Sequence, residues 1–355
     1  MIMKFFNVDL HISVIADMKK IFGDLGHKVF DMSLSDHTWV FNRRKDSIPM
    51  LDNGRWMHIS AQDYEEEFFS NFGTKLNAFD AFIVTYPPTF VNLYKQFDKP
   101  IIVNIPIRYE WPFSFKSESW EKTNDFIQSG YKSGQIKLVA NNLYDKFYTE
   151  QFLDVEVQHI PSLCDYNQEY HSKTKKEFVY YSKSKLEEID SSNFIFKSDL
   201  GNHKYKDLIS HSGIVHFPYC PSYMSVFEQY TSNTPLLFPT QEFLFDMFKK
   251  GYQVMGESSW YFMNNMGNKS MVKPITGIDP NDYMDDSIVK KWIELSDFYD
   301  NNWMPHITYF NNFEELNDIK NNFDSDSISN EMKKFNIVRK EQVYKLWEDL
   351  LKNIK

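Results

Sequence analysis

The sequence has 355 residues, 49 acidic against 39 basic side chains for a formal net charge of −10, and 17% aromatic residues. That length suits one large or two medium domains at roughly 150 residues each, the aromatic load excludes general disorder, and the acidity argues against a protein whose main task is gripping nucleic acid. Only Cys164 and Cys220 occur, which argues against a disulfide framework and fits a reducing, cytoplasmic setting. Asp9 and His11 interrupt the apolar N-terminus and no 18-residue apolar run exists, so neither a signal peptide nor a membrane span is expected.

Apolar, β-branched runs of strand length recur through the first half: Lys4 to Val8, Lys28 to Met32, Ala81 to Thr85, Ile101 to Ile105, Ile136 to Ala140 and Val155 to Ile160. Their nearly continuous apolarity is that of parallel strands buried on both faces. His11 to Phe22, Thr89 to Phe97, Glu118 to Gln128 and Leu143 to Phe152 read as helices between them, with Gly26 closing the first. After Pro161 the alternation restarts. Strands are expected at Glu177 to Ser182, Asn193 to Lys197, Gly213 to Pro218 and Pro235 to Pro239, and helices at Tyr205 to His211, Ser225 to Thr231 and Gln241 to Lys249. The polar stretch His171 to Lys176 reads as a hinge or linker. Beyond Asp279 the chain looks helical, ending in a long amphipathic helix near Asn330 to Lys352. The expectation is an α/β protein of two Rossmann-like domains facing across a cleft, residues 1–162 and 163–335, with 336–355 a C-terminal helix able to pack back on the first.

In open α/β sheets ligands sit beyond the carboxyl ends of the strands, where helix N-termini present unpaired N–H groups. The segment Gly213 to Pro239 reads as strand, short Pro/Ser loop, helix, turn and strand. Ser222 and Ser225 stand where that helix begins, able to cap it or to bind an anion, and Glu228 follows on its first turns. The alternative is that Ser225 and Glu228 form a capping box.

This segment resembles the donor-binding region of GT-B nucleotide-sugar glycosyltransferases. Glu228 with Gln229 to Thr231 and Asn233 to Leu237 occupies the place of that family's E-A-x-x-x-G-x-P-V stretch. The resemblance implies that Glu228 holds the ribose of the nucleotide. Many retaining members carry a second glutamate eight residues earlier, where this chain has Cys220, a departure that tilts toward an inverting outcome. Ile21 to Met32 (IFGDLGHKVFDM) is similar to the helix, L-G-H-x-V and strand near the start of many such proteins. Pro106 to Trp120 (PIRYEWPFSFKSESW) has a distant likeness to a segment of phage DNA β-glucosyltransferase. The catalytic aspartate of that likeness falls on Pro106, and Glu110 is the candidate substitute.

The resemblance implies transfer of a sugar from a nucleotide-diphosphate donor to a hydroxyl of a glycan or other small acceptor, with no cofactor and no bound metal. Residues 1–162 then take the acceptor side and 163–335 the donor side. Lys183 and Lys185, after the strand EFVYYS, suit the diphosphate together with Ser222 and Ser225, and Lys197 and Ser198 could lie beside the nucleobase. A solvated lysine pair and a plain loop are the competing readings. For the base, His11 follows the first strand and has an intrinsic pKa near 6.5. Glu110 is flanked by Tyr109, Trp111 and Phe113, which would desolvate it and raise its pKa. A capping histidine, and a salt bridge from Glu110 to Arg108, are the alternatives. Arg108 could anchor an anionic group, and Tyr86 and Trp111 could stack on a sugar.

Other signals fail. Asp324-Ser325-Asp326 follows a polar helical stretch rather than a strand, so it reads as a helix cap. His203, His211 and His216 lack metal-ligand spacing, and neither a Walker A nor a G-x-G-x-x-G pattern occurs. Two other functions remain open on sequence: a glycosyltransferase acting on modified DNA, and a two-lobed sugar- or nucleotide-binding protein without turnover.

Overall fold

The first six strands are β1 (Lys4–Asp9), β2 (Lys28–Ser33), β3 (Ala81–Val84), β4 (Ile101–Ile105), β5 (Ile136–Ala140) and β6 (Gln158–His159). In the computed structural model, which describes residues 2–354 and only the backbone of Lys320, they pair in parallel in the order β2-β1-β3-β4-β5-β6. Every residue of β3 and β4 is buried, which is why those runs show no polar alternation. Between the strands lie α1 (Ile12–Asp24), α2 (Ala61–Leu76), α3 (Ser117–Ser133) and α4 (Leu143–Phe152). Gly26 follows α1 at φ +85°, a conformation that glycine adopts without strain. Gly130 serves a different purpose: a Cβ there would meet Ile136 side-chain carbon at 2.5 Å, so its absence lets α3 approach β5.

The sequence reading passed over α2. A capping box announces it, with the Ser60 hydroxyl accepting from the Asp63 N–H and the Asp63 carboxylate accepting from the Ser60 N–H. The acidic run Glu65 to Glu67 obscures its apolar face, which buries Tyr64, Phe68 and Leu76. The helix expected at Thr89 to Phe97 is a tighter 3₁₀ turn over Pro88–Tyr94, buried at every residue.

The second set comprises β7 (Phe178–Tyr181), β8 (Phe194–Phe196), α5 (Tyr205–Leu208), β9 (Ile214–His216), α6 (Met224–Thr231), β10 (Leu236–Pro239) and α7 (Gln241–Lys249). After them come α8 (Trp260–Asn264), α9 (Asp286–Glu294), β11 (Thr308–Phe310), α10 (Phe313–Asp318) and α11 (Ser325–Lys352). The strands pair in parallel in the order β11-β10-β9-β7-β8. β11 corrects the expectation of an all-helical region beyond Asp279. Three residues are too few to show a strand period, and β11 is defined by its pairing, Leu237 opposite Thr308. Asp324 caps α11, its carboxylate accepting from the Ser327 N–H at 3.0 Å.

Two compact units result. One comprises Met1–Ser162, Lys269–Pro280 and Tyr344–Lys355, the other Leu163–Asn268 and Asn281–Val343. His171 to Lys176 is not a free linker: the His171 N–H bonds the Ser232 carbonyl at 2.7 Å and the Thr174 N–H bonds that of Ser210 at 2.9 Å, both inside the second unit. Each core is aromatic. Phe82 stacks on Tyr94 at 4.3 Å in the first, and Phe238 on Phe298 at 4.3 Å in the second. Each fully buried phenylalanine stabilises its unit by roughly 1.5–3 kcal/mol. Among the described residues no helix is long and apolar enough to cross a membrane.

Candidate functional site

Both sheets reverse their winding beside their first strand. β1 lies between β2 and β3, and β7 between β8 and β9. Such a switch point opens a crevice at the carboxyl ends of the two strands, the usual ligand position in open α/β sheets.

In the second unit that position holds an aromatic and histidine stack. His216, the last residue of β9, lies against Tyr181 at 4.9 Å and Phe238 at 4.9 Å. Burial pushes its pKa down to about 4, so the ring is neutral at pH 7. With Gln229 Oε1 accepting at 2.7 Å, Nε2 carries the proton, and Nδ1 accepts from the Tyr223 hydroxyl at 3.0 Å. Tyr223 is the N-cap of α6 and its side chain makes no capping bond. The N-terminal N–H groups of α6 are therefore not covered by a side-chain cap, and Ser225 and Glu228 form no capping box. Glu228, half-buried, accepts instead from the Tyr166 hydroxyl.

Lys183 joins this position through a ring. Its ammonium sits 4.5 Å from the centre of Tyr219, which stacks on Tyr223 at 4.9 Å, and it pairs with Glu257. Ser222 and Ser225 flank Tyr223 and are half-buried. Lys197 lies 5.6 Å over Tyr181, which stacks on His216. Lys185 pairs with Asp199 at 2.9 Å, both exposed, and Ser198 is exposed beside them. Lys183, Ser222 and Ser225 thus stand at the start of α6, Lys197 is set against Tyr181 instead, and Lys185 and Ser198 point outward. Sequence reading missed Tyr219, Tyr223 and His216 as a connected group. The density of ring side chains in His216 to Tyr223 (HFPYCPSY) is the signal that carried it.

In the first unit a cavity of about 520 Å³ opens beyond β1, β2 and β3, with Leu34, Asp36, Lys45, Asp52, Trp56 and Tyr86 in its wall. One sequence candidate, Tyr86, is in its wall, and two others, His11 and Trp111, pack against wall residues. The His11 ring meets Tyr86 edge-on at 5.8 Å, and Trp111 meets Trp56 edge-on at 6.4 Å. His11 is the N-cap of α1 without a capping bond, and burial lowers its pKa, so it stands neutral at pH 7. Asp9, two residues earlier at the end of β1, was not singled out. It is fully buried, accepts from Ser33 Oγ at 3.2 Å, and is pushed up to about 8 by desolvation and by the nearby Asp31.

Arg108 and Glu110 are placed elsewhere. Arg108 is 3% exposed, with its guanidinium 3.4 Å from Asp145 and 5.6 Å from the Tyr144 ring. Asp145 is an ion-pair partner of Arg108, whose charge also acts on Glu110. Glu110 is 0% exposed and accepts from Ser114 Oγ at 2.8 Å and the Tyr148 hydroxyl at 3.1 Å. Desolvation pushes its pKa up to about 7, the direction expected of its aromatic neighbours.

The fold and these two positions define a doubly wound α/β protein with a ligand position at the carboxyl end of each sheet. No family model matches the chain, and no curated protein matches its sequence. Solved structures do. The glycotransferase of kitacinnamycin aligns over 100% of this chain and 99% of its own at 8% identity, TM-score 0.45. UGT73P12 of Glycyrrhiza uralensis aligns over 99% and 96% at 12% identity, TM-score 0.43. The UDP-GlcNAc 2-epimerase of Methanocaldococcus jannaschii aligns over 89% and 98% at 8% identity, TM-score 0.40. Likenesses this distant do not assign an activity.

Proposed function

We propose that this protein is a glycosyltransferase that moves a sugar from a nucleotide-diphosphate donor to a hydroxyl of a glycan or other small acceptor. The observation that carries the reading is the start of α6: a helix N-terminus without a side-chain cap, at the switch point of the second sheet, with Lys183 one ring away and Glu228 further along the same helix. Backbone N–H groups and an ammonium suit a diphosphate, and a carboxylate suits a ribose diol. The Lys183–Glu257 pair is partly exposed on both sides, so its attraction is small and the ammonium can exchange a carboxylate for a phosphate.

In this reading the acceptor enters the cavity beside Tyr86 and Trp56, with Trp111 behind Trp56. The acceptor oxygen attacks the anomeric carbon, the bond from that carbon to the phosphate oxygen breaks, and the nucleoside diphosphate departs with the electron pair. A neutral His11 takes the acceptor proton, and the α6 N-terminus with Lys183 stabilises the departing charge without a metal ion. Glu110 serves the packing of the first unit. A cytoplasmic setting belongs to the same proposal and rests on the sparse use of cysteine.

A thermal-shift screen against nucleoside diphosphates and nucleotide sugars tests it, because a ligand that binds the native state raises the unfolding midpoint. The expected result is a shift with one nucleotide sugar that Glu228→Ala removes while the variant stays folded. No shift with any donor, in a cooperatively folding sample, overturns the proposal and favours a non-catalytic binding protein or a different activity.

A further inference from the structure

Glu228 stands four residues past Met224, the first residue of α6, or about 6 Å at 1.5 Å per residue. Helical side chains tilt toward the N-terminus, and residues three apart share a face, so this carboxylate leans over Ser225 toward the helix start. Accepting from a ribose diol beside a diphosphate makes two demands of it. The side chain has to be fixed in one rotamer, and its charge has to be softened where a second anion binds.

Three tyrosines of the same unit bear on this carboxylate. Tyr166, half-buried, donates its hydroxyl to Glu228 Oε1. Tyr181 and Tyr205 feel the same charge: burial first, and then Glu228, raise their pKa, so both are neutral phenols. The Tyr205 hydroxyl is engaged with Ser232 Oγ at 3.1 Å, and the Tyr181 ring with His216. The segment that carries Tyr166 is fastened along α6. The Leu163 carbonyl accepts from the Thr231 hydroxyl, Cys164 Sγ lies 4.0 Å from the Met224 carbonyl, and the Asn167 side-chain amide donates to Ser232 Oγ at 3.5 Å. Buried Cys164 holds φ +55°, a left-handed conformation that cysteine rarely adopts, and the Asn167 N–H closes the turn on the Cys164 carbonyl at 3.2 Å. Asp165, the acid within the turn, pairs with Lys340 at 2.6 Å. A strained turn fixed on both sides of Tyr166 thus delivers its hydroxyl to Glu228.

We propose that Tyr166 is the positioning residue through which Glu228 selects a ribose over a 2′-deoxyribose in the nucleotide. The inference rests on the reading of Glu228 as the group that accepts from the ribose diol. A phenol bound at Oε1 fixes the carboxylate plane and so the directions of its remaining lone pairs, which then meet the two ribose hydroxyls together. The same bond draws charge from the carboxylate and lessens its repulsion of the diphosphate. Tyr166 itself touches no part of the nucleotide in this arrangement and acts through Glu228.

Titration calorimetry with UDP, GDP, ADP and CDP, each against its 2′-deoxy counterpart, tests this. The parent should bind one ribonucleoside diphosphate about tenfold tighter than the 2′-deoxy form, the loss expected for one hydrogen bond to a charged group. Tyr166→Phe should bring that ratio to within about twofold of unity by weakening the ribonucleotide, and should leave the deoxynucleotide affinity within about twofold of the parent's. Glu228→Ala should remove the ratio as well. A merely structural role for Tyr166 would weaken both nucleotides alike and keep the ratio. A ratio unchanged in Tyr166→Phe but lost in Glu228→Ala overturns the role of Tyr166 and leaves the reading of Glu228 standing. A parent that binds none of the eight nucleotides, or that shows no ribose preference, overturns both.

Discussion

Glu110 and Glu228 make an instructive pair. Each follows the carboxyl end of a strand, β4 or β9, and each is a candidate for chemistry on sequence grounds. Glu110 sits in a tight turn among Tyr109, Phe113 and Tyr148, with its carboxyl bonded to Ser114 and Tyr148 and no surface exposed. Glu228 rides on a short helix, half-buried, with Tyr166 as its hydroxyl partner. Standing after a strand is therefore insufficient. What decides is whether the following backbone turns the side chain into the aromatic core or leaves it on a helix flank where a ligand can compete for its hydrogen bonds.

The comparison can be broken by substitution. Glu110→Ala should destabilise most, by about 3 kcal/mol, because it removes the buried carboxyl that accepts from Ser114 and Tyr148 and opens a void. Thermal or denaturant unfolding measures it. Glu228→Ala should cost about 1 kcal/mol or less in stability, yet weaken nucleotide-sugar binding about tenfold or more by calorimetry. An equal stability loss in the two variants would erase the distinction.

Titration sharpens the same contrast. With a folded pKa of about 7 against an ordinary value of 4.5, Glu110 holds its proton more tightly in the folded state. Its contribution is fully present below about pH 4.5, declines as pH rises from 4.5 to 7, and is lost above that. Glu110→Gln removes the titration, so the variant should match the parent near pH 4.5 and exceed it at pH 8, by roughly 3 kcal/mol at most. A parallel pair of stability-versus-pH curves would contradict the raised pKa.

The smallest effects separate the two lysines. Lys183→Ala should weaken donor binding several-fold, whereas Lys185→Ala, which breaks only the exposed pair with Asp199, should leave affinity unchanged and stability within about 0.5 kcal/mol. Equal effects would mean that the Tyr219–Tyr223 stack does not distinguish them.

Much of the frame was legible in the residues. β4, β5, α4 and α7 coincide with their expected ranges because their apolar runs or faces are uninterrupted and their ends are marked. α2 and β11 escaped for opposite reasons: the first hides its apolar face behind Glu65 to Glu67, and the second is three residues defined by pairing with β10. At the sites, sequence placed His11, Tyr86 and Trp111 separately, and only tertiary packing sets His11 against Tyr86 and Trp111 against Trp56, the two aromatic residues of the cavity wall. Arg108 shows the limit most plainly. Its scarcity in a lysine-rich chain drew attention, but Asp145, 37 residues further on, is what takes its charge.

The most direct measurement is release of nucleoside diphosphate from the nucleotide sugar that shifts the unfolding midpoint, followed with and without a panel of glycan and small-molecule acceptors. The account predicts acceptor-dependent release that falls sharply in both Glu228→Ala and His11→Ala while Lys185→Ala retains it. Donor binding with no release under any acceptor, or release that survives both substitutions, would contradict it.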